Sequence, residues 1–389
     1  MSEALINPQV LEWAIQRGRL ELVELAKRTS VMAEKIGFWR QGEARPTFKQ
    51  AQDLARALRI PFGFLFLSVP PRETFPIPDL RTIGDHEVHW TSLELRDVLA
   101  DALRKQDWFR EYRLEQGFET LPFVGRFNQN DTAAQIASDL TMTLGLTLTD
   151  RNQVKYWEEF LTRLIYKAEA VGVFVMRNSM VGNNRYRALD VKEFRGFAIC
   201  DSIAPLVFIN SADSKAAQIF TLVHELVHLW IGESGISDLS LKLPSSVSRN
   251  RTERLCNATA AEVLVPAKTL RERWKSKESL NQNAEQLAGF FRVSTVMIAR
   301  RAYDLGFVGQ QEYADFYEQQ AELWTKQPRS EAHPIDYYKV LVPMRNGKGF
   351  TSAVVQSVLE RRLLSRDAGM LLGISPSKLV TLAQKLGIG

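Results

Sequence analysis

The 389-residue chain has two cysteines, five histidines and no long uninterrupted apolar run. Each shortage excludes something. Cys200 and Cys256 are too few for a disulfide framework, which points to a reducing compartment. A helix that crosses a bilayer needs about 20 consecutive apolar residues, and no stretch here approaches that. The opening MSEALINPQVLEW lacks the basic start and cleavable apolar core of a secretory signal. We therefore expect a cytoplasmic protein with no membrane partner. An excess of one charge is also lacking: 50 Lys and Arg stand against 45 Asp and Glu, a net charge of +5. From residue 331 onward, eight Lys and Arg face four Asp and Glu, so part of the excess sits in the tail. Such a bias permits nucleic-acid contact without establishing it. Length and a hydrophobic content of 45% allow two or three domains with cores of their own.

Because histidine is scarce, its placement carries weight. Two of the five lie in TLVHELVHLW, residues 221–230, in the order His224-Glu225-x-x-His228. On a helix, residues i and i+4 share a face, so both imidazoles can reach one metal ion while the adjacent carboxylate reaches its water. Helical spacing of Ile219, Leu222, Val223, Leu226, Val227 and Trp230, followed by Gly232, places the motif on a helix. The pattern is that of a zinc hydrolase. Zinc in a catalytic site takes three protein ligands and leaves a fourth position open for water. The next helical stretch, RTERLCNATAAEVL over residues 251–264, supplies Glu253 and Glu262, which nine residues of helix place on roughly opposite faces. Glu253 is the expected third ligand. Asn257, one turn away on its face, is placed to hydrogen-bond a ligand histidine and fix its tautomer. Cys256 offers a thiolate alternative, although an isolated cysteine in an apolar stretch is more often a packed small hydrophobe. Glu262 reads as an ordinary solvated residue.

HELVH followed by ERLCNATAAEVLVP resembles the ImmA/IrrE family of zinc endopeptidases. On that resemblance Glu253 takes the third-ligand position, Asn257 the family asparagine, and Val263 to Pro266 the closing apolar turn. Cys256 and Thr259 depart from the family's alanine and aromatic residue. The likeness extends upstream through FRGFAICDSIAPLVFINSADSKAAQIF, where two short strands lead into the metal helix. It implies a zincin-like metallopeptidase core, Zn2+ as the cofactor, Glu225 as the catalytic base, and a helix-turn-helix repressor as the protein substrate. Cleavage would then relieve repression during stress, mobile-element induction or phage defence.

A twelve-residue pattern recurs as LAKRTSVMAEKI from Leu25, LAGFFRVSTVMI from Leu287 and AGMLLGISPSKL from Ala368. Its spacing suits a helix, a tight turn and a second helix. The first copy continues through Trp39, Gly42, Pro46, Leu54, Ala55 and Leu58 and resembles XRE-type repressor domains. Lys35, Arg40 and Lys49 are its candidate DNA contacts, with promoter DNA as the expected ligand and a homodimer needed to read enough sequence. The same scaffold can instead dock a protein.

These readings give an α+β chain, predominantly helical. Residues 1–68 form an XRE-type helix-turn-helix bundle, 69–90 a proline-rich linker, and 91–270 the zinc metallopeptidase domain with its preceding helices. Residues 271–330 make a helix-turn-helix-like subdomain, and 331–389 a basic helical tail. VPPRETFPIPD, with four prolines in eleven residues, marks the linker. Helices are expected over 93–115, 132–144 and 154–171, and strands at 173–176, 197–200 and 205–209. The last two strands are candidates for an exposed edge that holds an extended peptide. His86 and His89 read as surface loop, and Tyr337 or Tyr338 could reach the reaction centre if the tail folds over it. Two further readings remain open. The chain could be a DNA-binding regulator or an antitoxin-like partner of a toxin, with a vestigial or sensory metal site, or its tail could receive a partner protein.

Overall fold

The structure is a computed structural model that describes residues 2–18, 20–71, 91–237, 251–326 and 336–388. The proline-rich segment beyond residue 71, with His86 and His89, lies outside the described residues. The chain divides into two compact units. One comprises the described residues up to 71 with 91–100, and the other those from 101 onward.

The first unit is built from α1 (Pro8–Gly18), α2 (Leu22–Thr29), α3 (Ala33–Gln41) and α4 (Phe48–Leu58). The turn from α2 to α3 passes through Ser30 in the left-handed region, with φ of 55°. Gly42, with φ of 79°, ends α3. Thr47 and Gln50 then form a reciprocal capping box that starts α4. Trp39, Leu54, Ala55 and Leu58 are buried in the core of this unit. Their burial explains their spacing in the sequence.

Helix α5 (Leu93–Glu115) begins in the first unit and ends in the second, matching the span read from its periodicity. It is followed by α6 (Ala133–Thr143), α7 (Leu148–Asn152) and α8 (Trp157–Ala170). Next come strands β1 (Phe174–Asn178), β2 (Gly196–Ile199) and β3 (Leu206–Asn210), helix α9 (Lys215–Ile231) and strand β4 (Gly235–Ser237). The sheet runs β1-β3-β2-β4, with β1 and β3 parallel and β2 antiparallel to both its neighbours. This order corrects the edge-strand expectation: β2 and β3 are interior strands, paired on both sides. The reason is β4, whose three residues follow α9 closely and take the side of β2 that the sequence left open.

Helices α10 (Arg251–Leu264), α11 (Ala267–Arg273), α12 (Leu280–Phe291), α13 (Thr295–Asp304) and α14 (Gln310–Lys326) complete the main core. Buried side chains of α6, α8, the sheet, α9, α10, α12, α13 and α14 form one continuous cluster. Residues 287–298, the second copy of the twelve-residue pattern, thus pack into the same core as the histidine helix. The C-terminal elements are α15 (Val342–Asn346), α16 (Lys348–Leu359), α17 (Ser365–Leu372) and α18 (Leu379–Leu386). They rest on β1. Phe350 stacks on Phe174 at 4.9 Å, and a Cβ at Gly347 would come within 2.9 Å of the same ring. Among the described residues, no helix is long and apolar enough to cross a membrane.

Candidate metal centre

Helix α9 is almost wholly interior, and its boundaries follow from local chemistry. The Ser214 side chain accepts the Ala217 N–H at 3.2 Å to open it, and Gly232, at φ of 74°, closes it in a conformation that disfavours a side chain. His224, Glu225 and His228 are each 0% exposed. The two imidazoles meet with their Nε2 atoms 3.1 Å apart. Glu253, from the first turn of α10, spans them: Oε2 lies 3.3 Å from His224 Nε2 and Oε1 lies 3.2 Å from His228 Nε2. The three side chains therefore converge on one point.

Convergence has an electrostatic cost. Burial pushes the Glu253 carboxyl up, but the two imidazoles more than reverse this and hold it below the usual carboxylate range. Burial lowers His224, against the raising influence of Glu253 and, more weakly, of the Asn257 side chain. At 3.1 Å the two Nε2 atoms cannot both carry protons directed at each other, so at least one presents a lone pair to the shared space. The donor spacing fits a cation. Ligand atoms about 2.0 Å from a tetrahedral ion lie roughly 3.3 Å from one another, and the separations here are 3.1, 3.2 and 3.3 Å.

Cys256 is the competing donor. Its sulfur lies within 4.8 Å of ligand nitrogens of His224 and His228, making a buried group compatible with a metal. Burial raises its thiol well above the ordinary range, which keeps the proton on. Glu253, by contrast, is held ionised between the two imidazoles. Glu262 turns away, as the helical spacing requires, but it is no plain solvated residue: it pairs with Arg301 and accepts the Ala267 N–H at 3.2 Å.

Several contributors carry no motif. Gln129 donates to both Glu233 Oε1 and Thr252 Oγ1 at 2.7 Å, and Thr252 donates to Glu233 Oε2 at 2.9 Å. This triad ties the start of α10 to the end of α9 and so aims Glu253. Trp230 packs on Phe123 at 4.3 Å and donates to Asp139 at 2.8 Å, holding α9 against α6. Only the approach of distant segments reveals either group. Tyr337 is engaged by two other side chains. Its hydroxyl lies 3.0 Å from Asn183 Nδ2, and Arg345 stands over its ring.

A peptidase family model covers the stretch that builds this centre. Residues 168–303 match the IrrE N-terminal-like domain. This IrrE-like segment contains the sheet, α9, α10 and the α12–α13 pair, and its family supports a metallopeptidase. Residues 346–385 match a domain of unknown function (DUF8813). No curated protein matches the chain.

In the first unit, the candidate DNA contacts are not equivalent. Arg40 pairs with Glu12 at 2.9 Å, Lys35 stands over the Trp39 ring at 5.8 Å, and Lys49 is exposed. Met32 and Phe38, which flank Lys35 in the chain, are 72% and 48% exposed.

Proposed function

We propose that this chain is a zinc-dependent endopeptidase that cleaves a protein substrate, a helix-turn-helix repressor, and thereby regulates transcription. The observation that carries the reading is the three-donor convergence with Glu225 buried beside it on the same helix. His224, His228 and Glu253 would hold the zinc ion, with Asn257 steadying His224. Zinc, when bound, supplies Lewis acidity: it polarises a scissile carbonyl and lowers the pKa of water from about 16 to about 7. Glu225 takes the proton from the attacking water and returns it to the departing amine, acting as base and then as acid. Burial of Glu225 excludes bulk water from that exchange. An extended substrate strand would pair with β4, the outer strand on this side of the sheet among the described residues. The test is incubation of the zinc-loaded chain with helix-turn-helix repressors from its own source, read by mass spectrometry. One defined cut that disappears in Glu225→Gln supports the proposal. Stoichiometric zinc with an intact repressor overturns it.

A second reading concerns the N-terminal unit, for which promoter DNA is the expected ligand. The exposed Met32 and Phe38, with Arg40 already engaged by Glu12, favour docking of a protein over docking of phosphates. The substrate repressor is the partner this suits, with a toxin as the alternative.

A further inference from the structure

Strand β2 begins with a residue whose lack of a side chain is used for space. Gly196 does not have the left-handed backbone that would itself call for glycine. A Cβ built on it would stand 2.6 Å from Thr221 Cγ2, 2.9 Å from Glu225 Oε1 and 2.9 Å from the Phe208 carbonyl oxygen. Contacts this short do not occur for real Cβ atoms, so any side chain at 196 would force a neighbour to move. Thr221 and Glu225 are four residues apart and share one face of α9. That ridge of the helix sits in the gap the glycine leaves. Register fixes the gap in place, because Gly196 is paired with Ile209 on one side and Ser237 on the other, so β2 cannot swing away without breaking two ladders.

We propose that Gly196 is a positioning residue for Glu225: its bare backbone lets the carboxylate lie close against β2 and sets the direction in which that carboxylate faces the metal centre. The proposal rests on the reading of Glu225 as the proton-transferring group. It gives an interior strand a part in the chemistry that its sequence, GFAI, does not advertise. It also separates two roles on α9, since the histidines are placed by the helix and by Glu253, whereas the orientation of Glu225 is set from the sheet.

A packing role alone would look similar in a single variant, so the test uses two. Gly196→Ala adds the methyl group, and Gly196→Ala with Thr221→Ser adds it while removing Thr221 Cγ2, its closest obstacle. Full-length wild type, both variants and Glu225→Gln are loaded with cobalt and titrated with acetohydroxamate, followed by the visible spectrum. Acetohydroxamate binds a metal through its oxygens and transfers a proton to a nearby carboxylate, so it reports the placement of Glu225 without a known substrate. We expect every variant to retain one metal ion per chain. Glu225→Gln and the double variant should each weaken acetohydroxamate about tenfold or more, the scale of one lost hydrogen bond to a charged group. With any cleavable peptide, the double variant should lower kcat and leave KM near that of the wild type. If the double variant folds and binds acetohydroxamate as the wild type does while Glu225→Gln is weakened, Gly196 is a packing residue and the proposal is overturned. If Glu225→Gln also binds like the wild type, Glu225 does not address the centre, and the proton-transfer reading falls with it. Should Gly196→Ala alone fail to fold, the double variant carries the comparison.

Discussion

Glu225 and His228 lie three positions apart on one helix, yet they should fail differently when changed. Glu225→Gln keeps the size and removes the base. We expect zinc to stay bound and hydrolysis to fall by a factor of about 100 or more, the usual contribution of general-base catalysis. Metal analysis beside a cleavage assay checks this, and full activity in the variant would move the role elsewhere. His228→Ala removes a donor that stands 3.2 Å from Glu253 Oε1. Its metal content should drop below one per chain, with Glu253 left buried and under-compensated, so the apoprotein should also be less stable. Zinc retained at full occupancy would argue against His228 as a ligand. The motif was legible at this scale because i and i+4 spacing is local. Gly196 was not, since nothing in a strand sequence says which helix face will press on it.

Two elements depend on single polar residues that the sequence does not mark. Arg151, at the end of α7, is 4% exposed and donates to the carbonyl oxygens of Val263, at 2.7 Å, and Leu264 in the last turn of α10. Helix ends leave such carbonyls without partners inside the helix. Arg151→Met should strand them and cost about 3 kcal/mol, on the scale of one or two unsatisfied buried groups. A urea titration measures it, and a midpoint equal to that of the wild type would show that water replaces the guanidinium. Glu169, near the end of α8, accepts the Lys348 N–H at 2.8 Å and so caps the start of α16. Burial pushes its carboxyl up to about 7, above its value of roughly 4.3 in an unfolded chain. A carboxyl raised by folding contributes stability that is full below about 4.3 and lost as pH rises through about 7. The chain should therefore be easier to unfold at pH 8 than at pH 5 through this group. Glu169→Gln keeps an acceptor for Lys348 and should flatten that part of the profile. An unchanged profile in the variant would assign the pH dependence to other groups.

At the scale of the whole molecule, the two units pose separate questions. The net charge of +5 leaves nucleic-acid binding open, and the face of α3 bears on it directly. If the N-terminal unit docks protein, Phe38→Ser should weaken capture of the repressor while zinc content and cleavage of a short peptide stay unchanged. Gel shifts with the full chain should then show no preference for its own promoter over random DNA. A preference that falls steeply with salt, by a slope of about −0.9 per phosphate contacted, would restore Lys35, Arg40 and Lys49 as DNA contacts.

Local spacing specifies the helices that carry chemistry. The periods of α5, α9 and α10, the HELVH spacing, and the opposed faces of Glu253 and Glu262 all follow from 3.6 residues per turn acting over short distances. It also gave the approximate positions of β1, β2 and β3, whose apolar runs are short and bounded by turns. Strand order emerges from the packed fold, because pairing depends on which segments return to which edge, and the three residues of β4 carry too little pattern to announce that they close β2. Tertiary structure likewise decided that Glu253 spans both imidazoles, that Gln129 and Glu233 aim it through Thr252, and that Gly196 leaves room for Glu225. Each of these contacts joins residues far apart in the chain. Their geometry is set by packing of the whole core, which no local spacing encodes.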